Sequence, residues 1–283
     1  MTFREILVPL VDAEYGSAAI DAALALLSQP GGRITGAYAR TDPRAAIPYI
    51  GEGMTADVIQ ELCNAAERDG LRKAAAAREQ FEAACEKHGA TEGPGAGPEA
   101  RWLERIGDAV QVMAAEARVA DLSVIGRPGG DHANDLRAIL EGLLFRSGRP
   151  VLIVPPGCRP AFGTINIAWN GSAEASRAVA LAMPLLGAAK DVHITAVGKV
   201  SEGCPDTQAL GAYLGRHGIE ASQHRIEDSE GDFGQTLLKA SRDCGADVLV
   251  IGAYSHSRWR EMILGGVTRL MIVESDIPVF AVH

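Results

Sequence analysis

Two doubly wound α/β domains in one chain are the architecture this sequence predicts, and three observations predict it. The chain is written twice. Ala120-Asp121-Leu122-Ser123-Val124-Ile125-Gly126 returns as Ala246-Asp247-Val248-Leu249-Val250-Ile251-Gly252. Arg149-Pro150-Val151-Leu152-Ile153-Val154 returns as Ile277-Pro278-Val279-Phe280-Ala281-Val282. Ile6-Leu7-Val8-Pro9-Leu10 has its counterpart in Ile165-Asn166-Ile167-Ala168-Trp169. Three landmarks in one order, at offsets that drift only slightly, mark an internal duplication. Short apolar runs also alternate with stretches of helical period, the pattern of a parallel sheet with right-handed crossovers. Finally, the run ending at Ile251 is continuously apolar, as expected of a strand covered on both faces.

In the second half the elements follow in order. Ile165–Trp169 reads as a strand, and 173–186 as a helix with apolar spacing of three and four. Val192–Val197 is the next strand and 205–217 the next helix. Residues 221–226 form a third strand, 233–243 a helix and 247–251 a fourth strand. A helix over 259–273 leads to the last strand, 279–282. The first half follows this plan with one elaboration, an alanine-rich helical stretch from Thr55 to His88 broken at Gly70. The Gly- and Pro-rich segment 91–98 after it reads as a loop. Its glycines neither follow a strand nor open a helix, so a linker fits them better than a phosphate loop. The boundary falls near Pro155-Pro156-Gly157, giving domains 1–156, with a helical insertion at about 55–98, and 160–283.

Bulk properties narrow the function. The 283 residues are 47% hydrophobic and 22% charged, ordinary for a globular protein. A net charge of −9 offers no general attraction to nucleic acid or anionic membranes. No apolar run approaches the ~20 residues that span a bilayer, and MTFREILVPL has no secretory pattern. Cys63, Cys85, Cys158, Cys204 and Cys244 are far apart and never form a CxxC pair. They suggest neither a disulfide framework nor a zinc site, and the expectation is a reduced, cytoplasmic compartment.

The residues 165–172 at the first strand and turn carry a resemblance. So do 248–252 at the fourth strand, and Gly265-Gly266-Val267-Thr268-Arg269 with Ile277-Pro278-Val279 at the end. Each half resembles the universal stress protein domain, a fold related to the adenine-nucleotide alpha-hydrolase-like group, and the whole chain resembles a tandem member. The resemblance implies a non-catalytic stress-response protein. It also implies ATP or another adenine nucleotide as the ligand, and domains that pair through their last strands, Val151–Val154 with Val279–Val282. Such pairing covers strand edges that are an aggregation hazard when open, and leaves two chains free to form a homodimer.

ATP-binding members carry Gly, two residues, Gly, nine residues, then Gly followed by Ser or Thr. The glycines admit backbone N–H groups to phosphate oxygens, and a helix N-terminus adds partial positive charge. Here Gly252 takes the first position, but Ser255 stands at the second glycine. Gly265 fits, while Gly266 replaces the hydroxyl residue and Thr268 supplies a hydroxyl two positions on. Asn170 stands where the family has Asp. The resemblance therefore implies one altered site in the second domain, of Asn170, Gly171, Val197, Gly252, Ser255, His256, Gly265, Gly266, Val267 and Thr268. The first domain departs further. Gly126 and Gly129 give Gly-x-x-Gly, but Glu141-Gly142 matches Gly265-Gly266, and a carboxylate there would repel phosphate.

Plainer readings stand beside these. Gly265-Gly266 serves equally as close packing of the last helix against the loop after Gly252. Ser255-His256-Ser257 reads as polar loop filling rather than a nucleophile and base, because loop neighbours seldom face each other and no third orienting group is visible. His256 as an anion contact is the functional alternative. Arg258, Arg260 and Arg269 form either a solvated face or an anion-attracting rim. Trp169 reads as a packing aromatic, and Asp12 as a surface turn residue. No Walker-type phosphate loop, His-Glu-x-x-His pair or nucleophile elbow is present. Two rivals stay open: a slow ATPase, and a protein-interaction scaffold that presents the Thr55–His88 helix.

Overall fold

The computed structural model describes residues 2–11, 13–27, 31–46, 55–93, 95–198, 203–227, 232–253, 271 and 274–283. In the first half the strands are β1 (Glu5–Leu10), β2 (Arg33–Arg40), β3 (Glu99–Ile106), β4 (Leu122–Gly126) and β5 (Val151–Val154). The helices between them are α1 (Ala13–Leu26), α2 (Ala56–Lys87), α3 (Ala109–Ala117) and α4 (Ala133–Arg146). The second half has β6 (Thr164–Ala168), α5 (Ala173–Leu186), β7 (Asp191–Val197), α6 (Thr207–Arg216) and β8 (Ala221–Ile226). After these come α7 (Phe233–Asp243), β9 (Val248–Gly252) and β10 (Val279–Val282).

The ten strands among the described residues join one sheet in the order β3-β2-β1-β4-β5-β10-β9-β6-β7-β8. The second half repeats the strand order of the first in mirror sequence, so the duplication in the chain is a duplication in space. Neighbours within each half run parallel, and β5 meets β10 antiparallel, with Phe280 opposite Leu152 and Ala281 opposite Val151. The apolar runs are explained by burial on both faces. Val8, Val124, Leu152, Ile167, Val250 and Phe280 join one cluster with α1, α2, α5 and α6. Leu7, Ile125, Ile153, Leu249 and Ile251 join another with α3, α4 and α7. Every second residue of these strands feeds the opposite layer, as the two-residue strand period requires.

The helix α2 runs unbroken through Gly70, so the break expected there does not occur. Gly lowers helical stability by about 1 kcal/mol relative to Ala, and the alanines on both sides offset that cost. Its carboxyl half docks through Ala74, Ala77, Phe81 and Cys85, spaced three and four apart. Its amino half stands in solvent, with Val58, Leu62 and Leu71 44–48% exposed.

The repeated Ala-Asp pairs have a structural use at the amino ends of the strands. Asp121 Oδ2 accepts from the N–H groups of Arg4 and Glu5, at 2.8 and 3.0 Å. Asp247 Oδ2 does the same for Gly163 and Thr164, both at 2.8 Å. Each carboxylate fastens the start of β1 or β6 to the strand beside it. All five cysteines are free, and no helix among the described residues is long and apolar enough to cross a membrane.

Candidate functional site

Strand order reverses between β6 and β9 in the second half, and between β1 and β4 in the first. Successive crossovers leave in opposite directions at such points, which opens a crevice beyond the carboxyl ends of the strands. Of the predicted site residues, the four that are described stand at the carboxyl ends of strands in the second half. Asn170 and Gly171 make the turn after β6, Val197 ends β7, and Gly252 ends β9. Ser255, His256, Gly265, Gly266, Val267 and Thr268 lie outside the described residues, as do Asp12, Arg258, Arg260 and Arg269.

The turn after β6 is built by local hydrogen bonds. Asn170 Oδ1 accepts from the Ser172 N–H at 3.0 Å, and Gly171 takes the left-handed conformation at φ 74°. Ser172 is the N-cap of α5, its Oγ accepting from the Ala175 N–H at 3.2 Å. An exposed amide and a capped helix start are thus presented at the mouth of the crevice. Gly252 explains its own bareness: a Cβ there would sit 2.3 Å from Ala175 N and 2.5 Å from the Glu174 carbonyl carbon. The first turn of α5 lies directly on the end of β9, and only glycine admits that approach. Val197 is half-buried and packs against the apolar layer that contains Ile251.

Trp169 is buried, and its Nε1 donates to the Pro205 carbonyl at 2.8 Å. That bond ties the end of β6 to the segment entering α6, so the indole is a packing residue. Beneath the site lies a polar network that sequence reasoning missed. Thr195 Oγ1 donates to Asn166 Oδ1 at 2.8 Å, Asn166 Nδ2 donates to Ser241 Oγ at 2.9 Å, and Ser241 Oγ donates to the Leu237 carbonyl at 2.8 Å. All three side chains are buried. The available signal was Asn166 itself, a polar residue at the centre of an apolar strand where the duplicate has Leu7. Asn166→Ala leaves the Thr195 hydroxyl without its buried acceptor, so about 2 kcal/mol of unfolding free energy is expected to be lost. The triple change Asn166→Leu, Thr195→Val and Ser241→Ala removes the partners together and is expected to cost less; urea unfolding measures both.

In the first half, Gly142, the residue matched to Gly266 in sequence, is buried inside α4, and a Cβ there would lie 2.6 Å from Val110 Cγ1. It is a close-packing glycine between α4 and α3. A cavity of about 210 Å³ lies between Ser17 and Ala18 of α1 and the ends of β4 and β5, with Gly126 and Arg127 on its wall. Arg127 Nη1 donates to the Ser275 carbonyl at 2.7 Å, so this guanidinium already reaches across to the segment before β10.

No family model matches the chain. Universal stress protein Slr1230 of Synechocystis sp. (strain ATCC 27184 / PCC 6803 / Kazusa) is 28% identical over 170 residues. The match covers 56% of this chain and 56% of that protein, so the chain spans about half the length of this curated relative. A crystal structure of a universal stress protein from Archaeoglobus fulgidus DSM 4304 superposes with a TM-score of 0.64 at 20% identity, covering 99% of this chain and 97% of that one. A Pseudomonas aeruginosa UCBPP-PA14 structure assigned to the same group gives 0.55 at 18% identity, covering 99% and 93%. These likenesses uphold both the α/β fold class and the resemblance carried by the sequence motifs.

Proposed function

We propose that this chain, which has the universal stress protein fold along its whole length, is a non-catalytic stress-response module with one small-ligand site in its second domain. The domains are 1–156 and 160–283, joined at the β5–β10 pairing, and the compartment is the cytoplasm. The observation that carries the ligand reading is the meeting of Asn170, the capped start of α5 and Gly252 at the reversal of strand order between β6 and β9. A helix start favours anionic groups by its partial positive charge, and the exposed Asn170 amide offers a donor and an acceptor to a base or sugar. An adenine nucleotide fits that chemistry. Ser255 and Gly266, where ATP-binding members have Gly and Ser or Thr, point to a ligand with fewer phosphates than ATP.

Calorimetric titration with ATP, ADP and AMP, with and without magnesium, tests the reading. Saturable heat without phosphate release is the expected result, with AMP or ADP ahead of ATP. Gly265→Asp is expected to abolish it by placing a carboxylate where phosphate would lie. Phosphate release coupled to binding would replace the module by an ATPase. Absence of heat at millimolar ligand would overturn the ligand site and favour a scaffold, a reading supported by the exposed Val58, Leu62 and Leu71 along the amino half of α2.

A further inference from the structure

We propose that Arg118, Arg146 and Arg149, gathered in the first half where α3 and α4 end, dock a short acidic peptide segment of a partner protein. Arg118 is the C-cap of α3, Arg146 is the last residue of α4, and Arg149 lies two residues before β5. Two hydrogen bonds tie the three together. Arg118 Nε donates to the Arg146 carbonyl at 3.2 Å, and Arg149 Nε donates to the Arg118 carbonyl at 3.3 Å. Arg118 and Arg146 are exposed and Arg149 is half-buried. Among the described residues, no carboxylate pairs with any of these guanidinium groups. Glu116, two residues before Arg118, faces Arg105 at 3.5 Å, and Asp121 Oδ2 is taken by the N–H groups of Arg4 and Glu5.

Compensation of the helix dipoles accounts for only part of this charge. Two helix C-termini bring about −1 between them, so three guanidinium groups leave an excess of about +2. The duplication supplies the control. Phe145-Arg146-Ser147-Gly148-Arg149-Pro150-Val151 corresponds to Val273-Glu274-Ser275-Asp276-Ile277-Pro278-Val279. Both serines build the same turn: Ser147 Oγ accepts from the Arg149 N–H at 3.0 Å, and Ser275 Oγ from the Ile277 N–H at 3.3 Å. On that turn the second half carries Glu274 and Ile277, and Cys244 and Gly245 stand where the first half has Arg118 and Val119. The fold therefore does not require arginine here, which leaves the cluster for a partner. Its chemistry selects the occupant. Guanidinium groups take carboxylates through paired N–H donors. Val119, beside Arg118, is 76% exposed, the most of any large hydrophobic side chain among the described residues, and adds an apolar contact that a bare polyanion cannot use. An extended polyanion also meets the field of a protein of net charge −9, whereas a short segment covers the patch alone. A second copy is a poorer occupant, because the acids of the equivalent turn are engaged. Asp276 pairs with Arg242 at 3.0 Å, and Glu274 accepts from Gln235 Nε2 at 3.2 Å.

The test is fluorescence anisotropy of a labelled Glu-Glu-Leu-Glu-Glu peptide, with Gln-Gln-Leu-Gln-Gln as its uncharged control. Saturable binding of the acidic peptide alone is expected, weakening as salt rises from about 50 to about 200 mM. The double change Arg146→Glu, Arg149→Ile installs the second half's own residues on the same turn, and is expected to weaken binding about tenfold. Val119→Ser is expected to weaken it about threefold through the lost apolar contact. Absence of binding at millimolar peptide, equal binding of the uncharged control, or undiminished affinity in the double variant overturns the surface. Polyphosphate or single-stranded DNA bound more tightly than the peptide, and lost in the same variant, overturns the peptide in favour of a phosphate polymer. Dimerisation of the wild type in sedimentation that the double variant abolishes overturns it in favour of a second copy. Should the double variant fail to fold, Arg118→Gln, at an exposed side chain, decides by the same comparison.

Discussion

Gly252→Ala lowers the unfolding free energy of the ligand-free protein by about 3 kcal/mol, read as a fall in the urea midpoint at unchanged slope. The size follows from what the added methyl would meet. Ala175 N and the Glu174 carbonyl carbon, at 2.3 and 2.5 Å, are backbone atoms of a helix start, and they cannot swing aside as a flexible side chain would. Relief requires the first turn of α5 to lift from the end of β9, which strains the Ser172 cap and loosens the buried Ala175 and Ala178. The control is Gly129→Ala. That residue has φ −168°, an extended conformation open to any side chain, and a Cβ there meets only the Arg127 carbonyl oxygen at 3.9 Å. Its stability is expected to change by no more than about 0.5 kcal/mol. The contrast separates two meanings of a glycine at the carboxyl end of a strand. Loss of stability at Gly252 without ligand assigns its bareness to packing; unchanged stability with weakened nucleotide binding would return it to phosphate recognition.

The same contrast explains how far the residues could be read in advance. Strands buried on both faces announce themselves by unbroken apolar runs, and the duplication supplies each with a second instance, so β4 and β9 were plain from 120–126 and 246–252. The helix 173–186 was plain from its apolar spacing, and 233–243 from its place between two strands. Glycine was harder. It is one letter with several physical uses, and only distances in three dimensions distinguish them. Gly142 supports Val110 between two helices, Gly171 permits a left-handed turn, and Gly252 admits a helix start. Polar residues were hard for a related reason. Asp121 and Asp247 mark the repeat in the sequence, but their use, holding the amino ends of β1 and β6, rests on partners more than 80 residues away. The partners of Asn166 are 29 and 75 residues away, beyond any local pattern.

Phe280→Ala is expected to cost about 3–5 kcal/mol, the range for emptying a fully enclosed aromatic site. Phe280 has no exposed surface. It stands in β10 opposite Leu152 of β5 and Val250 of β9, at the centre of the ten-stranded sheet. Its cluster is continuous from Ile6 and Val8 of β1, through Leu152 and Val154, into Ile165 and Val250. A cavity here therefore removes contacts from both halves at once, and no neighbouring side chain can fill it without leaving another gap. The Arg127 bond to the Ser275 carbonyl crosses the same junction and is expected to loosen with it. The cooperative consequence is as specific as the magnitude. Far-ultraviolet circular dichroism should report the same shifted midpoint as indole fluorescence, to which Trp102 of β3 and Trp169 after β6 both contribute, because the two halves share one core. Two separated transitions in the variant, with the first half retaining the wild-type midpoint, would show instead that each half folds on its own and that β5 and β10 merely touch. A single transition lowered for both probes would identify the antiparallel β5–β10 junction as part of one folding unit, in which the hydrophobic edges of both halves are closed only by each other.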